Sequence, residues 1–460
     1  MTDVSGGGGR VPGFWRSQGG RFLVLAAITL LMTIPLMMIG VISSERERYA
    51  EQVRREVGAT WGGAQTLAGP FVVVPVERTQ AVRRSDGSSV DRTDRDHLVL
   101  TPQRLEIDVA SEAQARRRGI YDATVFTATA TLTGAFSFEG ATALAEGYDE
   151  VLWDEARLVT WLSDPRALTD EVSATYGGAA HRFDPGAGLR GVEVAGTMVP
   201  IHVALGDPRG GSTFEVVLPL RGSGALRAIA AGRSTEMTMT SDWPHPSFDG
   251  NLLPRERTVA EEGFEASWFV PYLARGVTDG WVEEHGLSRT ERFVGGLGFG
   301  VSFFQPVDNY QKVERALKYA VLIIGLTLLT VFLIELATAR AAHPVQYVLV
   351  GLAQCTFFLL VLALSEHVTF ALAYLAASVA TVGLLVAYVG SALRAGRMTW
   401  VAAAALVTLY GLLYLLLQSR DYALLIGALA AFATLGGMMM ATRRVDWWSA
   451  GARPATGGAQ

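Results

Sequence analysis

The chain has 460 residues, half of them apolar and 18% charged, with a formal net charge of −5. The apolar residues gather in long runs and most charges fall before residue 320, so the averages describe neither part and the net charge identifies no partner. A single cysteine, Cys355, excludes an internal disulfide, and only two lysines, Lys312 and Lys318, stand among 39 basic residues.

In chain order, residues 1–20 read as a disordered tail. Phe22–Ser43 is the first apolar run, long enough to cross ~30 Å of hydrocarbon as a helix. It is longer than a signal-peptide core and no A-x-A-like site follows, so it predicts a retained anchor over 21–43. Pro35 inside it predicts a kink, which a membrane helix tolerates. The charged stretch from Glu45 to about Gly58 continues that helix.

Residues 44–318 are water-compatible and read as strands, because their apolar residues recur at every second position. Phe126, Ala128, Ala130, Leu132, Phe136 and Phe138 take one face, while Thr127, Thr129, Thr131 and Thr133 take the other. Phe214–Leu220, Met237–Met239, Phe264–Trp268 and Phe299–Phe303 alternate likewise. Gly69-Pro70, Asp184-Pro185-Gly186 and Asp207–Gly211 punctuate these segments, and the polar Gln80–Asp96 stretch reads as a solvated loop. Many strands buried on one face predict a large antiparallel β-sandwich-like domain.

Five further apolar runs follow: Tyr319–Leu336, Tyr347–Ser365, Val368–Leu393, Trp400–Leu417 and Tyr422–Ala441. The predicted class is thus an α+β membrane protein with six transmembrane helices, one N-terminal and five in a bundle over 319–442, and a tail over 443–460. Arg10, Arg16 and Arg21 precede the first helix; alternation places Arg340, Arg394, Arg397, Arg443 and Arg444 on the same side. The positive-inside rule then puts both termini in the cytoplasm and residues 44–318 in the periplasm.

The motifs of common chemistry are absent. There is no G-x-x-x-x-G-K-[ST], no H-E-x-x-H and no G-x-S-x-G. Gly295–Gly300 lacks G-x-G-x-x-G spacing and reads as a bent strand start. Two polar constellations remain. In Asp242-Trp243-Pro244-His245-Pro246-Ser247-Phe248 the prolines hold the chain extended, presenting Trp243 and His245. That is either a recognition or metal site using His245 with Asp242, or a stiff loop whose Trp243 and Phe248 plug the sandwich edge. Ser365-Glu366-His367 joins the third and fourth runs in a tight hairpin. His367 there is either a proton-sensitive switch beside Glu366 or, with it, a cap marking the interface. Glu335, near the end of the second run, is expected to pair with Arg340.

The run Gly232–Ser241, leading into Asp242–Phe248, resembles a signature of the CreD family of bacterial inner-membrane proteins. So do Asp308-Asn309-Tyr310-Gln311, Arg315–Ala320, and His343-Pro344-Val345-Gln346-Tyr347–Leu352 running on to Leu362–His367. The resemblance implies a cell envelope integrity protein linked to a two-component system that responds to growth conditions. It implies no catalytic residue, cofactor or metal. The combined expectation is a non-enzymatic inner-membrane protein whose partners are the bilayer and envelope proteins or lipids, not nucleic acid. Trp243, His245, Glu366 and His367 are the candidate interaction residues. The rival reading is a transporter or lipid-handling channel built from the C-terminal helices, which predicts ionisable or glycine-broken segments near the membrane midplane.

Overall fold

Period-two alternation becomes two facing β-sheets, and the apolar runs become long helices. A computed structural model describes residues 18–83, 89–186, 198–276, 278–283, 289–290, 293, 298–303, 309–338, 342–392, 396–418 and scattered positions between 425 and 443. The chain divides into a β unit, Ala50–Pro306, and a helical unit, Met1–Tyr49 with Val307–Gln460.

In chain order the strands are β1 (Gln65–Arg83), β2 (Ser89–Leu100), β3 (Arg104–Arg118), β4 (Tyr121–Ala135), β5 (Glu150–Val151), β6 (Arg157–Leu162), β7 (Ser173–Tyr176), β8 (Ala179–Arg182), β9 (Asp184–Pro185), β10 (Val199–Ala204), β11 (Thr213–Ser223), β12 (Ala225–Ile229), β13 (Ser234–Ser241), β14 (Pro246–Gly250), β15 (Glu256–Ala260), β16 (Gly263–Val270), β17 (Gly280–Glu283) and β18 (Gly298–Phe303). One sheet runs β15-β16-β13-β3-β4-β11-β7-β8. The other runs β14-β18-β12-β1-β6-β10-β9, with β2 and β5 also on β1 and β17 on β2. The sheets meet through aromatic rings. Phe126 of β4 stacks on Phe303 of β18 at 4.8 Å, and Trp268 of β16 lies 6.0 Å from Phe299 of β18.

The predicted faces hold: Phe126, Ala128, Ala130 and Leu132 are buried and Thr127 and Thr129 exposed, as a half-buried strand requires. β1 differs, for Phe71–Val74 are buried without alternation. Consecutive burial means that this strand is covered on both faces, and on one of them Phe71 packs edge-on to Trp161, Trp281 and Phe293.

Three expectations change. The sheets are not purely antiparallel, since β1 pairs parallel with β12 and β3 with β13. Gly69-Pro70 does not separate strands; it lies in β1, where the register against β6 shifts between Ala68 and Phe71. The Gln80–Asp96 loop is instead a hairpin extension in which β1 and β2 stay paired out to Arg83 and Ser89. Both of its faces are solvated, so no burial alternation announces it. The glycine-rich stretch enters β18 at Gly298, and Gly295–Leu297 lie outside the described residues.

In the helical unit, five helices among the described residues are long and apolar enough to cross a membrane, not six. The sixth run, Tyr422–Ala441, falls largely outside the described residues. The first helix covers Gly19–Thr60, ~63 Å at 1.5 Å per residue, including the predicted charged continuation. It is interrupted at Met32, one turn before Pro35, whose ring collides with the preceding turn. The others are the second (Asn309–Thr338), third (Pro344–Ser365), fourth (Phe370–Ala392) and fifth (Arg397–Gln418). The second to fifth close a four-helix ring, and the first packs on the second and third. At that contact Met32 fills the space left by Gly351, where an added Cβ would lie 2.8 Å from its sulfur.

Candidate functional site

The Asp242–Phe248 segment crosses from β13 in one sheet to the edge strand β14 in the other. Phe248 meets Phe264 edge-on at 5.8 Å and Trp268 at 6.0 Å, and Trp243 is half-buried against the same core. His245 is exposed. Asp242 is engaged elsewhere: its Oδ1 accepts from the Ala113 N–H at 2.7 Å. These contacts match the plug alternative for Trp243 and Phe248 and leave His245 as the presented group. Among the described residues no group of three or more His, Cys, Asp or Glu side chains is placed to hold a metal ion.

Beside this segment the outer face of the eight-stranded sheet forms an open groove of ≈ 670 Å³. Thr127, Thr129 and Thr240 floor it, and Glu112, Asp242 and Glu262 line it as well. Sequence alternation places those threonines outward, but the groove needs four strands in register. Thr240, Ala110, Thr129 and Pro219 are successive cross-strand neighbours on β13, β3, β4 and β11.

Elsewhere in the β unit, His97 is nearly buried on β2, opposite Glu283 of β17. Burial, and then the charge of Arg95, push its pKa below 6.5 against the pull of Asp96 and Glu283. Asp207 is held down at about 2 by the side-chain hydrogen bond from Arg209.

In the helical unit the structure brings separate motif blocks together. Glu366 caps the third helix and accepts from the Tyr310 hydroxyl at 3.0 Å, while Arg46 of the first helix lies 3.9 Å away. Asn309 Nδ2 donates to the Ser365 carbonyl at 2.8 Å. His367 is exposed, with Nδ1 3.2 Å from the Ala363 carbonyl of its own turn. These contacts match the turn-capping part of the interface-and-cap alternative for Glu366.

At the opposite helix ends, Glu335 is buried and accepts from Arg21 at 2.5 Å and from the Tyr347 hydroxyl. Arg21 is therefore the described partner of Glu335; the expected partner, Arg340, lies outside the described residues. The adjoining His343–Gln346 block is a capping box: His343 Nδ1 accepts from the Val345 N–H and Gln346 Oε1 accepts from the His343 N–H. Arg21 and Arg46, like Tyr310 and Glu335, stand 25 residues apart, so both helices carry their polar ends ~37 Å apart. That equal spacing was the available signal for roles that sequence reasoning missed.

A family model described as "Inner membrane protein CreD" matches residues 17–448. "Inner membrane protein CreD" of Escherichia coli (strain K12) is 34% identical over 447 residues, covering 95% of this chain and 94% of the relative. The chain belongs to the CreD family.

Proposed function

We propose that this protein is a non-catalytic inner-membrane component of envelope integrity, anchored by its helices and binding envelope proteins or lipids through its β unit. The E. coli relative's name supports the membrane. The arginine distribution supports cytoplasmic termini and a periplasmic β unit. The observation that carries the binding reading is the open threonine-floored groove ending at Asp242, where the Trp243–His245 segment begins. In the helical unit, Tyr310, Glu366, Asn309, Tyr347 and Glu335 tie helices to one another, which suits an anchor.

The test uses a strain lacking its own copy and challenged with an envelope-damaging detergent. Thr129→Trp, which fills the groove, and His245→Ala should each lower the tolerance restored by the native chain at equal protein level. Full tolerance with both variants would remove the groove and His245 from the function. Glu366→Ala and His367→Ala examine the helix hairpin in the same assay.

A further inference from the structure

The interior of the four-helix ring is not uniformly apolar. Gln354 of the third helix is completely buried and donates to the hydroxyl of Thr327 on the second, also buried. Among the described residues its Oε1 has no hydrogen-bond partner, and neither has the hydroxyl of Tyr410, buried on the fifth helix. Phe357, one turn beyond Gln354, meets Tyr410 edge-on at 4.7 Å, so these groups share one neighbourhood.

They also share a depth. Counted at ~1.5 Å per residue from the helix ends nearest Glu335, Thr327 lies ~17 Å in, Gln354 ~15 Å and Tyr410 ~20 Å. An orphaned polar atom at the centre of such a bundle carries its full desolvation penalty unless something meets it.

Two small voids lie beside this layer, one of them touching it at Thr327. The deeper, ≈ 10 Å³, is lined by Thr327 and Thr330 together with Val350 and Leu406, which lie four residues before Gln354 and Tyr410. Helical side chains lean toward their own N-terminus. Gln354 and Tyr410 therefore lean toward the level of this void. The second void, also ≈ 10 Å³, shares Val331, Val350 and Val389 with the first. It reaches Gln346, Tyr347 and Tyr388, beside the Arg21–Glu335 cluster. Each void is about the size of one water. The surface that each void exposes is apolar, so the groups able to hold water are the oxygens of Thr327, Gln354 and Tyr410 in the layer beside them.

We propose that water enters the bundle from the Glu335 end through these voids and binds at mid-depth against Thr327, Gln354 and Tyr410. The path is one-ended: a hydrated pocket in the membrane rather than an open channel. This goes beyond the anchoring role, and it supplies neutral rather than ionisable groups at the depth where the transport reading expects a site.

The test is pulsed hydroxyl-radical labelling of the full-length protein in lipid nanodiscs, read by mass spectrometry. Radicals form from bound water, so Tyr410 should be modified ~10-fold faster than Phe332 and Phe358, which are equally buried away from the voids. Val350→Phe plugs the shared neck and should bring Tyr410 to that background while Tyr347 stays labelled. Should that variant misfold, Val389→Phe plugs the same neck from the fourth helix. Background labelling of Tyr410 in the native protein would overturn the proposal, as would undiminished labelling in a folded plugged variant.

Discussion

Arg275 is the strongest test of the β unit's packing. The residue is 2% exposed, yet both terminal nitrogens of its guanidinium are engaged. It donates to the carbonyls of Ala231 and Thr278 at 2.9 and 3.0 Å, to the Thr101 hydroxyl at 3.0 Å and to Asp279 at 3.0 Å. Arg275→Met keeps the stem's volume and removes every donor. Asp279 retains Arg233 at 2.5 Å, so the penalty falls on the two carbonyls. At ~1–3 kcal/mol each, they sum to ~2–6 kcal/mol. Hydrogen exchange of the full-length protein in detergent reads this locally. Segments holding Thr101 and Ala231 should exchange at least ~30-fold faster, the factor that 2 kcal/mol implies. Exchange unchanged within threefold would refute the reasoning, because it would mean that these carbonyls find other partners.

Gly222→Ala should destabilise the β4–β11 pairing by ~1–3 kcal/mol, since the new Cβ would sit 2.5 Å from the Phe126 ring and 2.9 Å from the Gly63 carbonyl; denaturant unfolding monitored by tryptophan fluorescence measures it. Stability of the β unit should be complete above pH 6.5 and decline as pH falls toward the lowered folded pKa of His97. The unfolded chain binds a proton there that the folded one refuses, and His97→Gln should flatten that slope in melting temperature against pH. Glu335→Gln weakens the tie to Arg21 and Tyr347 and should cost ~1 kcal/mol in a detergent melt. Glu314→Ala, removing an exposed pair with Lys318, should cost no more than ~0.5 kcal/mol in the same melt.

Local periodicity made the elements legible. Phe126–Leu132 and Phe214–Leu220 show their buried faces in sequence because a strand's side chains alternate strictly. Pairings across long separations were not legible. Nothing local announces that Met237 lies beside Ile107 in a parallel ladder, or that Arg21 reaches Glu335 across 314 positions. The Gln80–Asp96 hairpin reads as a loop in the sequence because the residues at its tip are exposed on both faces. Gln354 escaped notice because one amide in an apolar run barely changes its hydropathy, whereas burial against Thr327 makes it a distinct feature. Trp243, His245, Glu366 and His367 were visible as polar or aromatic groups in rigid or tightly turned segments; their partners were not.

The β unit is expected to stand in the periplasm, between the first and second spans. A reporter inserted at Ser88 that is active only in the periplasm should be active, and one active only in the cytoplasm should stay silent. The reverse pattern would contradict the topology, and with it the proposal that this unit binds components of the envelope.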